Sequence, residues 1–146
     1  MAEVPQQVRI GTCAWDKPSW RGFFYPTGLP RRKELTFASN QFRTLEINAT
    51  FHGAKKPSTF LKWYHETPDD FVFSVKGDQI VTHNHALRNA EKNVAAFLAS
   101  GVLLLGEKLG PILWQVSEKL PFNPDVVDAF LSTLPHSVAE AQSLVA

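Results

Sequence analysis

The chain has 146 residues, of which 44% are hydrophobic and 20% charged, proportions typical of one globular domain with its own core. Fifteen basic and fourteen acidic side chains give a net charge of +1, which excludes a general electrostatic attraction to nucleic acid or anionic membrane. The single cysteine, Cys13, excludes an internal disulfide. Residues 1–7 lack the basic start and apolar run of a signal peptide, and no apolar run has membrane-spanning length, so we expect a cytoplasmic protein.

Four short apolar runs that end in polar or charged residues predict four β-strands. They are residues 8–13 (VRIGTC), 43–48 (RTLEIN), 71–76 (FVFSVK) and 111–116 (PILWQV). A segment with helical spacing or a helix start signal follows each strand, which predicts helices over residues 31–40, 57–66, 89–100 and about 124–134. The strands begin roughly 30 to 40 residues apart, the size of a βαβ unit, so we expect parallel strands.

Two loops carry unusual composition. Residues 14–30 hold five aromatic side chains and three prolines, which is too aromatic for a disordered linker. Long ordered loops more often serve function than connection. Residues 77–87 form a polar loop that contains His83 and His85.

The phase of the strands favours a barrel over an open sheet. Side chains alternate across a strand, so each face can be assigned from the sequence. One face is bulky and apolar and the other is smaller and more polar: Leu45, Ile47, Phe73 and Val75 lie opposite Thr44, Glu46, Asn48, Ser74 and Lys76. A doubly wound sheet needs two apolar faces, whereas the inner face of a barrel turns polar near its mouth.

Several motifs, in this order and spacing, resemble the YecE-like family, catalogued as domain of unknown function 72. They are residues 10–15 (IGTCAW), 20–26 (WRGFFYP), 45–51 (LEINATF), 73–76 (FSVK), 81–83 (VTH) and 105–115 (LGEKLGPILWQ). The resemblance implies a TIM-barrel fold and a cytoplasmic location. It implies no established activity, because the family is named for lacking one.

The chain departs from the family pattern at Cys13, where the family usually has Ser, and at His52, where it usually has an aromatic residue. The family also continues through the remaining units of a barrel of about 250 residues. We therefore interpret residues 1–135 as the amino-terminal part of a TIM-barrel-like domain, a partial barrel of about four βα units with parallel strands. Residues 136–146 are then a divergent tail. The first and fourth strands would be open edges, which predicts self-association.

Three residues are candidates for catalysis. Glu46, near the carboxyl end of its strand, suits a general acid or base, and Lys76 suits anion binding or activation of a nucleophile. The alternative is that Glu46 and Lys76 form a structural ion pair. His83 suits a proton shuttle, although two loop histidines are more often solvated than catalytic.

Four further residues are candidates for ligand binding. Asn48 and Gln115 end their strands with hydrogen-bonding side chains, while Trp15 and Arg21 suit stacking and phosphate binding. The neighbouring Phe23 and Phe24 are expected to plug the barrel, and Cys13 to be a small buried residue. The residues assemble no metal site and identify no cofactor.

Two classes of function follow from these residues. The first is a hydrolase or isomerase that acts on a phosphorylated, sugar-like or nucleotide-like ligand at the carboxyl ends of the strands. Redox chemistry fits less well because the sequence carries no dinucleotide-binding fingerprint. The alternative is a non-catalytic module that binds nucleic acid or protein, or an inactive truncated form. The sequence does not establish whether the protein is an enzyme.

Overall fold

The structure, a computed structural model, describes residues 8–145 and contains one sheet of four parallel strands. The strands lie side by side in chain order: β1 (Gly11–Cys13), β2 (Thr44–Ile47), β3 (Val72–Lys76) and β4 (Leu109–Leu113). The α-helices of the described range are α1 (Glu34–Gln41), α2 (Pro57–His65), α3 (Glu91–Ala99), α4 (Pro124–Leu131) and α5 (Val138–Val145). The predicted parallel βα units are confirmed. No helix between residues 8 and 145 is long and apolar enough to cross a membrane.

The edge strands differ from their predicted bounds. β1 is shorter than predicted, and β4 begins two residues earlier and ends at Leu113 rather than at residue 116. Against β3, the pairing passes from Leu109 opposite Phe73 to Ile112 opposite Val75, so β4 carries one extra residue as a bulge. The sequence pattern does not reveal this bulge.

The helical segments also differ in detail. Residues 102–108 form a separate stretch of tighter helical turns rather than the end of α3, because Gly101 has a φ of 115° and ends the helix. The polar loop after β3 contains a π-helical turn at Ile80–Asn84. Residues 138–145 of the predicted divergent tail form α5, which packs against α3.

The two faces of the sheet have opposite surroundings. Leu45, Ile47, Phe73 and Val75 are fully buried beneath the helices and form the centre of the core. On the other face, Thr44, Glu46, Ser74 and Lys76 are half-buried, while Cys13 and Leu113 are exposed. The predicted phase of β2 and β3 is therefore confirmed, and the polar face is open within the described chain.

A buried lysine, which the sequence pattern did not single out, caps the carboxyl end of α2. Lys108 is 2% exposed, and its Nζ donates hydrogen bonds to the carbonyl oxygens of Tyr64 at 2.7 Å and Thr67 at 2.8 Å. Its Nζ also lies 4.4 Å from the centroid of the Tyr64 ring. The last carbonyls of a helix have no partner within the helix, and a cation there also offsets the negative end of the helix dipole.

We predict that Lys108→Met lowers the free energy of unfolding by about 2 kcal/mol, because it leaves buried carbonyl oxygens without a donor. Denaturation in urea, followed by circular dichroism, measures the change. Lys62→Met is the matched control on α2, the helix that Lys108 caps, since Lys62 is 58% exposed and its Nζ lies 3.9 Å from Glu66. That control should change stability by less than about 0.5 kcal/mol. Equal losses in the two variants would contradict the role of Lys108.

Candidate functional site

Glu46 and Lys76 project from neighbouring strands at the same end of the sheet. β2 and β3 run parallel, with Glu46 opposite Ser74. Because side chains alternate along β3, Lys76 lies on the face that carries Glu46. None of the ion pairs found within residues 8–145 joins Glu46 to Lys76, so the predicted structural ion pair is not formed there. The structure thus brings a carboxylate and an ammonium to one open surface.

Cys13 extends this row onto the first strand. It lies opposite Glu46 in the register of β1 and β2, and it is exposed rather than buried, which corrects the expectation from the sequence. Partial desolvation raises the pKa of the Cys13 thiol, and a hydrogen bond to the negatively charged Glu46 raises it further. The charges of Lys76 and Lys17 oppose this shift. The thiol is therefore protonated at neutral pH rather than an activated nucleophile.

The ring of Phe51 contacts the ammonium group of Lys76. The Lys76 Nζ lies 4.7 Å from the centroid of the Phe51 ring, a distance that favours a cation–π interaction. Phe51 belongs to the loop after β2, and this loop is fastened to the end of β3. The hydroxyl of Thr50 donates to the Lys76 carbonyl at 2.6 Å, and the amide of Gln79 donates to the Phe51 carbonyl at 3.1 Å.

The predicted His83 lies beside the same ring. Its imidazole packs edge-on against Phe51 with the ring centroids 5.2 Å apart, and His52 makes a similar contact at 5.2 Å. His83 is exposed in the π-helical turn, and its Nδ1 lies 2.9 Å from the hydroxyl oxygen of Thr82. Phe51 therefore links His83 to Lys76.

The two amide candidates have different positions. Asn48 follows β2 directly, is half-buried, and accepts a backbone hydrogen bond from Phe51 at 3.1 Å through its carbonyl, so it starts the loop that carries the ring. Gln115 was predicted at the end of the fourth strand, but β4 ends at Leu113 and Gln115 lies exposed beyond it. The earlier end of β4 separates Gln115 from the strand end.

Trp15 packs against the core rather than over the open face. Its ring meets Trp63 of α2 edge-on at a centroid distance of 5.5 Å and lies 6.3 Å from the ring of Phe73. Phe73 points to the helix-covered side of the sheet. The preceding Ala14 has a φ of 59°, a left-handed conformation that marks a sharp turn of the chain after β1. The geometry gives no support to the stacking role predicted for Trp15.

Arg21 is engaged in a structural ion pair. Its Nε donates to the buried carboxylate of Glu34 at 2.6 Å, and these contacts raise the pKa of the guanidinium. Burial, followed by the charges of Glu34 and Asp16, raises the pKa of the nearby Tyr25 to about 12. Tyr25 therefore stays protonated and donates a hydrogen bond to the Trp15 carbonyl. The anion-binding role of Arg21 remains a prediction that this geometry does not favour.

Sequence reasoning missed two members of this cluster, Cys13 and Phe51. The strand register could have placed Cys13 beside Glu46, but its exposure depends on the missing cover of the open face. Phe51 was visible as an aromatic in a loop, three residues after the last residue of a predicted strand and at the end of one family motif. No group of three or more His, Cys, Asp or Glu suited to a metal ion occurs within residues 8–145.

Two clefts of the surface lie away from the cluster that contains Glu46 and Lys76. One of about 480 Å³ separates the start of α3 from α4, and its lining includes Arg88, Asn123 and Phe130. Another, of about 490 Å³, adjoins α5 and is lined by His136 and Leu144. Neither is lined by the cluster on the open face. The candidate site therefore lies outside both of these clefts.

Comparisons with known proteins identify relatives of this chain. A family model described as "Protein of unknown function DUF72" matches residues 9–142. UPF0759 protein YecE of Escherichia coli strain K12 is 30% identical over 133 residues, which cover 88% of this chain and 44% of that protein. The chain spans about half the length of the curated relatives that it matches.

Two crystal structures resemble the fold. A DUF72 family protein from Thermotoga maritima has a TM-score of 0.74 and 25% identity, with coverage of 88% of this chain and 51% of the other. One from Enterococcus faecalis has a TM-score of 0.66 and 20% identity, with coverage of 86% and 45%. These structure neighbours have a TIM-barrel-like fold. The chain therefore belongs to the DUF72 family of proteins of unknown function.

Proposed function

We propose that the carboxyl ends of β1 to β3 form a site for a small phosphorylated, sugar-like or nucleotide-like ligand. The observation that carries this proposal is the placement of Glu46 and Lys76 on one open face of adjacent parallel strands. The carboxyl ends of barrel strands are where enzymes of this architecture carry their chemistry. The position at the carboxyl ends of the strands favours a functional site. The side chains of Glu46 and Lys76 determine which chemistry that site can perform.

Lys76 suits the anionic part of such a ligand. Its ammonium offers three hydrogen-bond donors, and its contact with the Phe51 ring at 4.7 Å restrains it without using a charged partner. His83 contacts the same Phe51 ring as Lys76 does, and it offers a second hydrogen-bond donor when its imidazole is protonated. Asn48 begins the loop that holds the ring, and it adds an amide within this region.

Glu46 suits proton transfer. Its carboxylate lies beside Cys13 in the strand register and raises the pKa of that thiol. A carboxylate beside a bound anion can withdraw or return a proton on the ligand, the step that hydrolysis and isomerisation share. In this proposal Lys76 binds the ligand and Glu46 is the acid or base, so the two residues have separable effects.

The alternative of a nucleic-acid-binding module has less support. Such a module would need an aromatic and basic surface at the carboxyl ends of the strands, to which Trp15 and Arg21 were expected to contribute. Trp15 packs against Trp63, and Arg21 pairs with the buried Glu34. Neither side chain adds to the surface that carries Lys76.

We predict that the chain binds glucose 6-phosphate more tightly than glucose, and that Lys76→Met weakens the sugar phosphate affinity about tenfold. Loss of one charge-assisted hydrogen bond costs about 1.5 kcal/mol or more, which corresponds to that factor. Isothermal titration calorimetry at low salt measures both ligands. Glu46→Gln should keep or improve the affinity, because it removes a negative charge while preserving the shape of the side chain.

Lys92→Met, at an exposed position of α3, is the matched control and should bind as the unmodified chain does. Equal affinities of the Lys76 and Lys92 variants would refute the role of Lys76. Binding of glucose as tightly as glucose 6-phosphate would show that the site does not select an anion.

A second prediction concerns the electrostatic coupling of Cys13 to its neighbours. Since Glu46 raises the pKa of the thiol and Lys76 lowers it, Glu46→Gln should speed alkylation by iodoacetamide at pH 8, and Lys76→Met should slow it. Cys13 is the single cysteine, so mass spectrometry reports this site alone. Unchanged rates in both variants would separate Cys13 from the cluster.

A further inference from the structure

Both outer edges of the sheet are unpaired in the described chain. β1 pairs with β2 alone, and β4 pairs with β3 alone. The amide of Ala14 donates to the Glu46 carbonyl at 3.0 Å, so alternation along the backbone turns the peptide groups of Gly11 and Cys13 away from β2. At the edge formed by β4, the Leu113 carbonyl accepts a hydrogen bond from the Gly77 amide at 2.9 Å. The peptide groups of Ile112 therefore point outward, away from β3. Each edge therefore offers backbone donors and acceptors to another strand.

Exposed apolar side chains accompany both edges. Val8 and Ile10, immediately before β1, are 87% and 73% exposed. Leu113, at the end of β4, and Val116, just beyond it, are also exposed. An edge that combines free backbone groups with apolar side chains is the type of surface that pairs with another strand. The two edges thus require the same kind of partner.

The geometry of the sheet identifies a partner that satisfies both edges at once. All four strands point in one direction, so a two-fold axis parallel to them places β4 of one copy beside β1 of the other, again in parallel. Two copies contribute eight strands, the number at which the interior of a parallel barrel is just filled by side chains. The family relatives have a TIM-barrel-like fold at about twice this length.

We propose that two copies of this chain close one eight-stranded parallel barrel, in which β4 of each copy pairs with β1 of the other. The open face, with Cys13, Glu46, Ser74 and Lys76, becomes the inner face of this barrel. Its mouth then holds two carboxylates and two ammonium groups, one pair from each copy. The idea of a shared ligand site rests on the proposed function, whereas the closure of the barrel rests on the edges alone.

Light scattering after size-exclusion chromatography of the ligand-free chain tests the closure. We expect twice the chain mass of 16.4 kDa. Small-angle X-ray scattering should give a radius of gyration of about 19 Å, the value for a compact body of two such chains. A single-chain mass, an open series of larger assemblies, or an elongated pair with a clearly larger radius would overturn the proposal.

Two leucine variants locate the interface. Leu113→Glu places a charge on the inner face of the barrel, at a side chain that is 42% exposed. Leu61→Glu places the same charge on the outside of α2, at a side chain that is 41% exposed. Leu113→Glu should raise the dissociation constant of the dimer at least tenfold, and Leu61→Glu should leave it unchanged. The reverse pattern, or equal effects, would place the interface elsewhere.

The ligand experiment keeps the two proposals apart. The mass and radius are measured without ligand, so failure of glucose 6-phosphate binding leaves them as they are. If the site is shared, dilution of the unmodified chain until it is a monomer should also weaken binding of glucose 6-phosphate. Undiminished binding by that monomer would overturn the shared site while leaving the proposed function in place.

Discussion

Parallel alignment of four strands in register is the constraint on which the other features depend. Because the strands share one direction, their carboxyl ends meet at one edge, and alternation sends every second side chain to the same face. The apolar set must face the helices, and this fixes the polar set on the opposite face. Glu46 and Lys76 therefore lie together as a consequence of burying Leu45 and Val75. No separate interaction between the two charges is needed to bring them to the same surface.

The same period explains what the sequence could predict. The phase of β2 and β3 is local information, so both faces followed from the order of residues, and so did the placement of Glu46 and Lys76. The site roles that the structure does not favour involve contacts between distant segments. β4 ends before Gln115, the buried Glu34 engages Arg21, and Trp15 packs against the core. The buried Lys108 caps a helix more than forty residues away in sequence, a partner that no local pattern specifies.

The exposed Cys13 shows how the fold and the candidate site are connected. A small residue at the carboxyl end of an inner barrel strand is ordinarily covered by the opposite wall, which the four described strands do not supply. Glu46 and Lys76 lie on the same open face. A small ligand bound there would keep most of its surface in water, whereas ligand sites usually enclose their ligands. In the proposed dimer, closure of the sheet and enclosure of the proposed ligand site are two aspects of one structural requirement.

Hydrogen exchange of the edge amides, resolved by NMR, tests this requirement most directly. In a closed barrel the outward-facing amides of Cys13 and Ile112 donate to a neighbouring strand, so they should exchange slowly, like the amides of the central strands β2 and β3. Dilution to a concentration that separates the copies should release them. Rapid exchange of both amides at every concentration, beside slow exchange in β2 and β3, would show that the sheet stays open and would contradict the account.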